Sequence, residues 1–152
     1  MSHNYFGSQT MTQVALIVRD IEAKVKIYAD LFGVEIPAII ETAPESEAHT
    51  RYQGEPTEAR AKLAFFDMGS LTLELIEPIG GPSTWADFLD QHGEGVHHIA
   101  FNIEGMDEVT AGLAEQGIPT VQRGDYTGGH YAYVDSAAKL GVAVELLESL
   151  KD

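Results

Sequence analysis

The sequence predicts an α+β fold in which two tandem βαβββ modules join into one curved, cupped mixed sheet. Three observations carry this reading. The stretch Gly93-Glu94-Gly95-Val96-His97-His98-Ile99-Ala100-Phe101-Asn102-Ile103 has an echo in Gln13-Val14-Ala15-Leu16-Ile17-Val18, so that position 98 answers position 13. Leu71-Thr72-Leu73-Glu74-Leu75-Ile76-Glu77 is repeated in kind by Val142-Ala143-Val144-Glu145-Leu146-Leu147-Glu148. A Gly/Pro segment, Pro78 to Pro82, falls between the two halves as a seam. The chain therefore reads as an internal duplication. Residues 1–11 form a loose arm, 12–80 the first module and 81–152 the second, together one domain.

Each element has its own signal. Gln13 to Val18 alternates as a strand should. Asp20 caps a helix whose stripe is Ile21, Val25, Tyr28, Leu31 and Phe32, and Gly33 stops it. Val34 to Glu41 reads as the next strand. Thr42 to Ala59 is acidic and aperiodic, so no regular structure is assigned to it, and disorder is favoured over a lid with Arg51 and Tyr52 as ligand contacts. Lys62 to Phe66 and Leu71 to Glu77 form a hairpin around Met68-Gly69-Ser70. Ser83 or Thr84 starts a short helix with Trp85, Phe88 and Leu89 on one side. The pattern then restarts with a strand from His98 to Ile103 and a helix from Met106 to Gln116, stopped by Gly117. Strands Ile118 to Gln122, His130 to Asp135 and Val142 to Glu148 complete it.

At 152 residues the chain can bury one sizeable core. Its net charge of −15, with no basic cluster, argues against nucleic acid and anionic membrane as partners. With no cysteine, disulfides, thiolate metal sites and cysteine nucleophiles are excluded. No charged-then-apolar leader and no membrane-length apolar run is read, so the expected location is cytoplasmic.

The duplication also points to a site. Period two puts Leu73, Leu75, Val144 and Leu146 on the helix-packed face and Glu74 and Glu145 on the other, with Gln13, Ala15, His98 and Ala100. Two half-barrels related by a pseudo-twofold axis would bring Gln13, Glu74, His98 and Glu145 together. One imidazole, two carboxylates and an amide oxygen suit a single divalent ion (Zn, Ni, Co, Mn or Fe) in an open site. The same alternation sends His97 toward the helices, as a packing or supporting residue. His130 has no identifiable partner, and His3, His49 and His92 carry no signal.

These residues resemble the vicinal oxygen chelate superfamily, which contains glyoxalase I, methylmalonyl-CoA epimerase, extradiol dioxygenases and bleomycin-resistance proteins. The resemblance runs from about Gln13 to Glu148 and is strongest to methylmalonyl-CoA epimerase, at Glu74-Leu75-Ile76-Glu77-Pro78 and His92-Gly93-Glu94-Gly95-Val96-His97-His98-Ile99-Ala100-Phe101. It implies a divalent metal (Zn, Ni, Co or Mn) held by Gln13, Glu74, His98 and Glu145, with Glu145 also the catalytic base. The implied activity is that of an isomerase, epimerase or lyase that abstracts a proton next to a carbonyl and stabilises the enolate on the metal. Gln13 stands where the epimerases usually carry His and resembles the Gln of some glyoxalase I enzymes. The second acid of the epimerases has no counterpart on the strand Arg60 to Phe66, so exchange on methylmalonyl-CoA is expected to be slow or to retain configuration, with Lys62 the one residue on that strand that could take over as proton donor if burial lowers its pKa. A glyoxalase I-like lactoylglutathione lyase and a binding protein of the bleomycin-resistance type are the alternatives. The expected partners are a small carbonyl or thioester substrate and a second copy of the chain in a homodimer.

Overall fold

The computed structural model describes residues 3–150. In chain order the elements are β1 (Met11–Ile17), α1 (Ile21–Phe32), β2 (Ile40–Glu41), α2 (Glu45–Ala48), β3 (Arg51–Tyr52), β4 (Glu55–Pro56), β5 (Arg60–Asp67) and β6 (Thr72–Ile79). There follow α3 (Thr84–His92), β7 (Gly95–Asn102), α4 (Met106–Glu115), β8 (Thr120–Tyr126), β9 (Gly129–Val134), α5 (Ala137–Leu140) and β10 (Ala143–Ser149). All strands belong to one mixed sheet in the order β2-β5-β6-β1-β7-β10-β9-β8-β3-β4.

The two halves meet where β1 pairs antiparallel with β7. Each of these strands then pairs in parallel with the last long strand of its own half, β1 with β6 and β7 with β10. The outer face carries two helix-covered cores. One packs Val18, Ile21, Val25, Ala29, Ala64, Phe66 and Leu75 under α1, and the other packs Ile103, Met106, Leu113, Val134, Val144 and Leu146 under α4. Asp20 caps α1 by accepting from the Ala23 amide, and Gly33 ends it in the left-handed conformation. The expected α1 stripe holds for Ile21, Val25 and Tyr28, Phe32 is half exposed but sets its ring against Tyr28 and Phe66, and Leu31 turns to solvent.

Helices do not keep to one face. Ser83 caps α3, which lies across the concave side, where Trp85 packs with Ala15, Ile17, Ala61, Ile76 and Tyr133. Phe6 of the N-terminal arm stacks on Phe101 against the α4 core, while residues 1 and 2 of that arm lie outside the described residues. The strand expected over Val34 to Glu41 is only Ile40–Glu41.

The largest correction is residues 42–59, which are structured. They contain α2 and the β3-β4 hairpin, and they bury Ala48, Thr50, Thr57 and Ala59. β2 and β3 lie toward opposite ends of the sheet order, yet only the stretch from Glu41 to Arg51 connects them. Ten residues reach at most ~35 Å, so the sheet must curl until its ends approach and this segment straps the mouth. Composition hid this because the strap has no core of its own. It is ordered by pairing with the β8 edge and by hydrogen bonds from the Gln53 amide to the Val121 carbonyl and from the Thr57 hydroxyl to the Pro82 carbonyl.

Candidate metal centre

The register of the central strands assembles the expected residues in two rows. Glu74 is level with Ala15 across β6 and β1, and Ala15 with His98 across β1 and β7. Gln13 is level with Ala100, and Ala100 with Glu145. An alanine thus separates each pair of candidate ligands and leaves room between them. His98 Nε2 lies 3.5 Å from Glu74 Oε1 and 3.2 Å from Glu145 Oε1. One ligating atom from each of the three falls within 4.8 Å of the others.

These groups are almost sealed from water: His98 is fully buried, with Glu74 and Glu145 6% and 5% exposed. Gln13 Oε1, Glu74 Oε1 and His98 Nε2 are buried with no hydrogen-bond partner. For Gln13 Oε1 this costs about 1–3 kcal/mol, whereas His98 Nε2 and Glu74 Oε1 lie within ion-pair distance of each other and are offset while the imidazole is protonated. All three are lone-pair donors suited to a divalent ion, so the residues present fit the metal that the sequence implies. Burial pushes the Glu74 carboxyl up, and the Glu145 charge adds to this against the pull of His98. Burial alone would lower His98, but Glu145 and Glu74 outweigh it and raise the imidazole to about 9.

Tyr131 and Tyr133 line the same face, with Tyr133 level with Glu145, and sequence reasoning missed them. Burial first and the Glu145 charge second hold the Tyr133 phenol well above its ordinary value, and it accepts a hydrogen bond from Trp85 Nε1 at 2.9 Å. The alternation Tyr131-Ala132-Tyr133 opposite the Glu145 strand was the available signal.

His97 departs from its expected place. Leu16 pairs with Val96 and Ala15 with His98, so His97 is a bulged residue that opposes nothing on β1. The bulge turns it inward beside His98, with the two Nδ1 atoms 2.8 Å apart. Lys62, the one residue on its strand that could have replaced the missing acid, does not face the cup. It alternates with Ala61 and Leu63, which face the cup, and pairs with Glu77 on the outer face at 3.8 Å. Glu77 in turn accepts from the Ile21 amide at the start of α1. Arg51 and Tyr52 are engaged by Glu45 and Asp87, and His49 by Asp125. His130 pairs at 2.7 Å with Glu148, which also accepts from the Gly105 and Met106 amides and so anchors the start of α4.

The family model described as the Glyoxalase/Bleomycin resistance protein/Dioxygenase superfamily matches residues 12–134. The chain belongs to this superfamily. Within it, the chain is 36% identical over 98 residues to the uncharacterized protein YqjC of Bacillus subtilis, covering 62% of this chain and 70% of that one. It is 27% identical to the ethylmalonyl-CoA/methylmalonyl-CoA epimerase of Cereibacter sphaeroides, covering 76% of each. The chain spans about three fifths of the length of the mammalian mitochondrial methylmalonyl-CoA epimerases that it matches, 61% for the bovine one. A solved methylmalonyl-CoA epimerase in complex with methylmalonyl-CoA and NH4+ is 25% identical with a TM-score of 0.64, over 92% of this chain and 94% of that one. The curled sheet matches the superfamily fold of such neighbours. Among the described residues no helix is long and apolar enough to cross a membrane.

Proposed function

We propose that the chain is a divalent-metal enzyme that removes a proton next to a carbonyl, as an isomerase or epimerase. The observation that carries this reading is the trio of orphaned buried atoms on Gln13, Glu74 and His98 beside Glu145. A divalent ion bound there supplies a Lewis acid for the negative charge that grows on the carbonyl oxygen. The chain's own contribution is position and dryness. Glu145 takes the proton, in reach of the site's centre but backed by Tyr133. Tyr133 and Tyr131 keep their own protons, since burial and the carboxylates push both phenols up. The strap and α3 exclude water, which strengthens each electrostatic contact inside. The similarity to methylmalonyl-CoA epimerases supports a thioester or related carbonyl as substrate.

A second reading, a glyoxalase I-like lyase, is favoured by charge. Two carboxylates among the candidate ligands neutralise a divalent ion, and three nearby cations are already paired with other carboxylates: Lys62 with Glu77, Arg60 with Glu41 and Arg51 with Glu45. A substrate whose reacting end carries no carboxylate suits such a site better than a malonyl group. Solvent exchange decides between enzyme and binder. With zinc, nickel, cobalt or manganese loaded, the protein is expected to exchange the acidic hydrogen of an acyl-CoA, hemithioacetal or hydroxy-ketone in deuterated water. Glu145→Gln should abolish that exchange while some ion remains bound. No exchange on any of the three substrates would make a ligand-binding protein the better reading.

A further inference from the structure

The imidazole of His97 is buried, 3% exposed, and takes no part in the chemistry above. Its Nδ1 faces His98 Nδ1 at 2.8 Å and its Nε2 faces Thr84 Oγ1 at 3.1 Å. Beyond Thr84 the network continues inward: the Thr84 amide donates to Gln122 Oε1 at 2.9 Å, and Gln122 Nε2 donates to the Tyr131 hydroxyl at 3.1 Å. Phe88 and Tyr133 meet the His97 ring edge-on and fix its plane.

Two ring nitrogens at hydrogen-bond distance must be one donor and one acceptor. To ligate an ion, His98 needs its lone pair on Nε2, the atom that faces Glu74 and Glu145. Its proton then sits on Nδ1 and points at His97. We propose that His97 is a positioning residue that accepts the His98 Nδ1 proton, fixing the tautomer and ring angle in which His98 Nε2 is the metal ligand. His97 in turn donates from Nε2 to Thr84 Oγ1. The same hydrogen bond forms when His98 is doubly protonated, so the ring is aimed before an ion arrives. Partners of this kind are worth about 10–100-fold in metal affinity elsewhere.

This inference rests on the metal-site reading, and the experiment keeps the two apart. Zinc and cobalt affinities are measured by competition with a chromophoric chelator for wild type, His97→Leu, His97→Asn and Thr84→Val. His97→Leu removes the acceptor at similar bulk and is expected to weaken binding about 10–100-fold. His97→Asn places an amide oxygen where Nδ1 stood and should recover most of that loss. Thr84→Val frees His97 to change tautomer and should weaken binding several-fold, while its backbone bond to Gln122 is untouched. In the metal-free protein, nitrogen-15 spectra should show a protected His98 Nδ1 proton in wild type and His97→Asn, and none in His97→Leu. Wild-type affinity in Thr84→Val and His97→Leu, or failure of His97→Asn to recover binding, would overturn the role of His97. A wild type that takes up neither ion would overturn the metal site itself and this role with it.

Discussion

Stripped of metal, the site should make the protein lose stability as pH rises, which is the reverse of ordinary acid sensitivity. His98 rises from an ordinary 6.5 to about 9, because its carboxylate neighbours outweigh its burial. A group whose folded-state pKa is raised contributes stability that is complete below 6.5 and disappears as pH climbs through about 9. At about 1.4 kcal/mol per pH unit the loss between pH 6 and pH 10 is ~3 kcal/mol. Glu74 acts in the same direction, since its carboxyl is also raised, first by burial. For a chain of this size, ~3 kcal/mol corresponds to a fall of roughly 6–12 °C in Tm. The assay is a thermal melt series of chelator-treated protein from pH 6 to 9.5, beside His98→Gln, which lacks the titrating ring. Wild type should fall with pH more steeply than the variant. Saturating zinc should erase the difference, because ligation replaces the proton. Parallel curves for the two metal-free proteins, or a wild-type Tm that rises over this window, would refute the reasoning.

Two further outcomes follow from the register. Ala100 lies level with both Gln13 and Glu145 and is fully buried, so Ala100→Leu drives a side chain into the space between the ligands. It should abolish ion uptake by elemental analysis while costing about 1–3 kcal/mol in urea melts. Because Lys62 faces outward to Glu77, Lys62→Met should leave the rate and stereochemistry of substrate exchange unchanged, and stability should move by no more than ~1 kcal/mol. A tenfold drop in exchange for Lys62→Met would put that amine in the cup.

Much of this was legible because the repeat carries its information at period two. Gln13, Glu74, His98 and Glu145 could be set on one face from alternation alone, and the observed register confirms that Ala15 and Ala100 share it. What alternation could not give was anything that breaks the period or lacks its own core. The strap is an example of the second kind. Gln13 and Glu74 are 61 positions apart but His98 and Glu145 only 47, so the first half holds 14 more residues. That surplus falls in the strap, whose order comes from the β8 edge and from α3 rather than from its own polar sequence. Lys62 is kept from the cup for a simpler reason. Period two places it on the face opposite Ala61 and Leu63, which line the cup, so its amine meets Glu77 instead.

His97 broke the period, and the way it did so ties the two halves together. The β1–β7 pairing slips twice, once at Thr12 between Met11 and Gln13, and once at His97 between Val96 and His98. Positions 12 and 97 are equivalent under the repeat, so the bulge belongs to the duplicated unit and precedes a candidate ligand in each copy. In the first copy the bulged hydroxyl of Thr12 donates to the Ala100 carbonyl at 3.3 Å, and Gln13 Oε1 is left to the site alone. An amide oxygen has no tautomer to set, so it needs no acceptor behind it. In the second copy the ligand is an imidazole, which must hold its proton on the far nitrogen, and the bulged residue is one that can accept that proton. On the proposed metal reading, the two bulged residues differ as the candidate ligands after them differ.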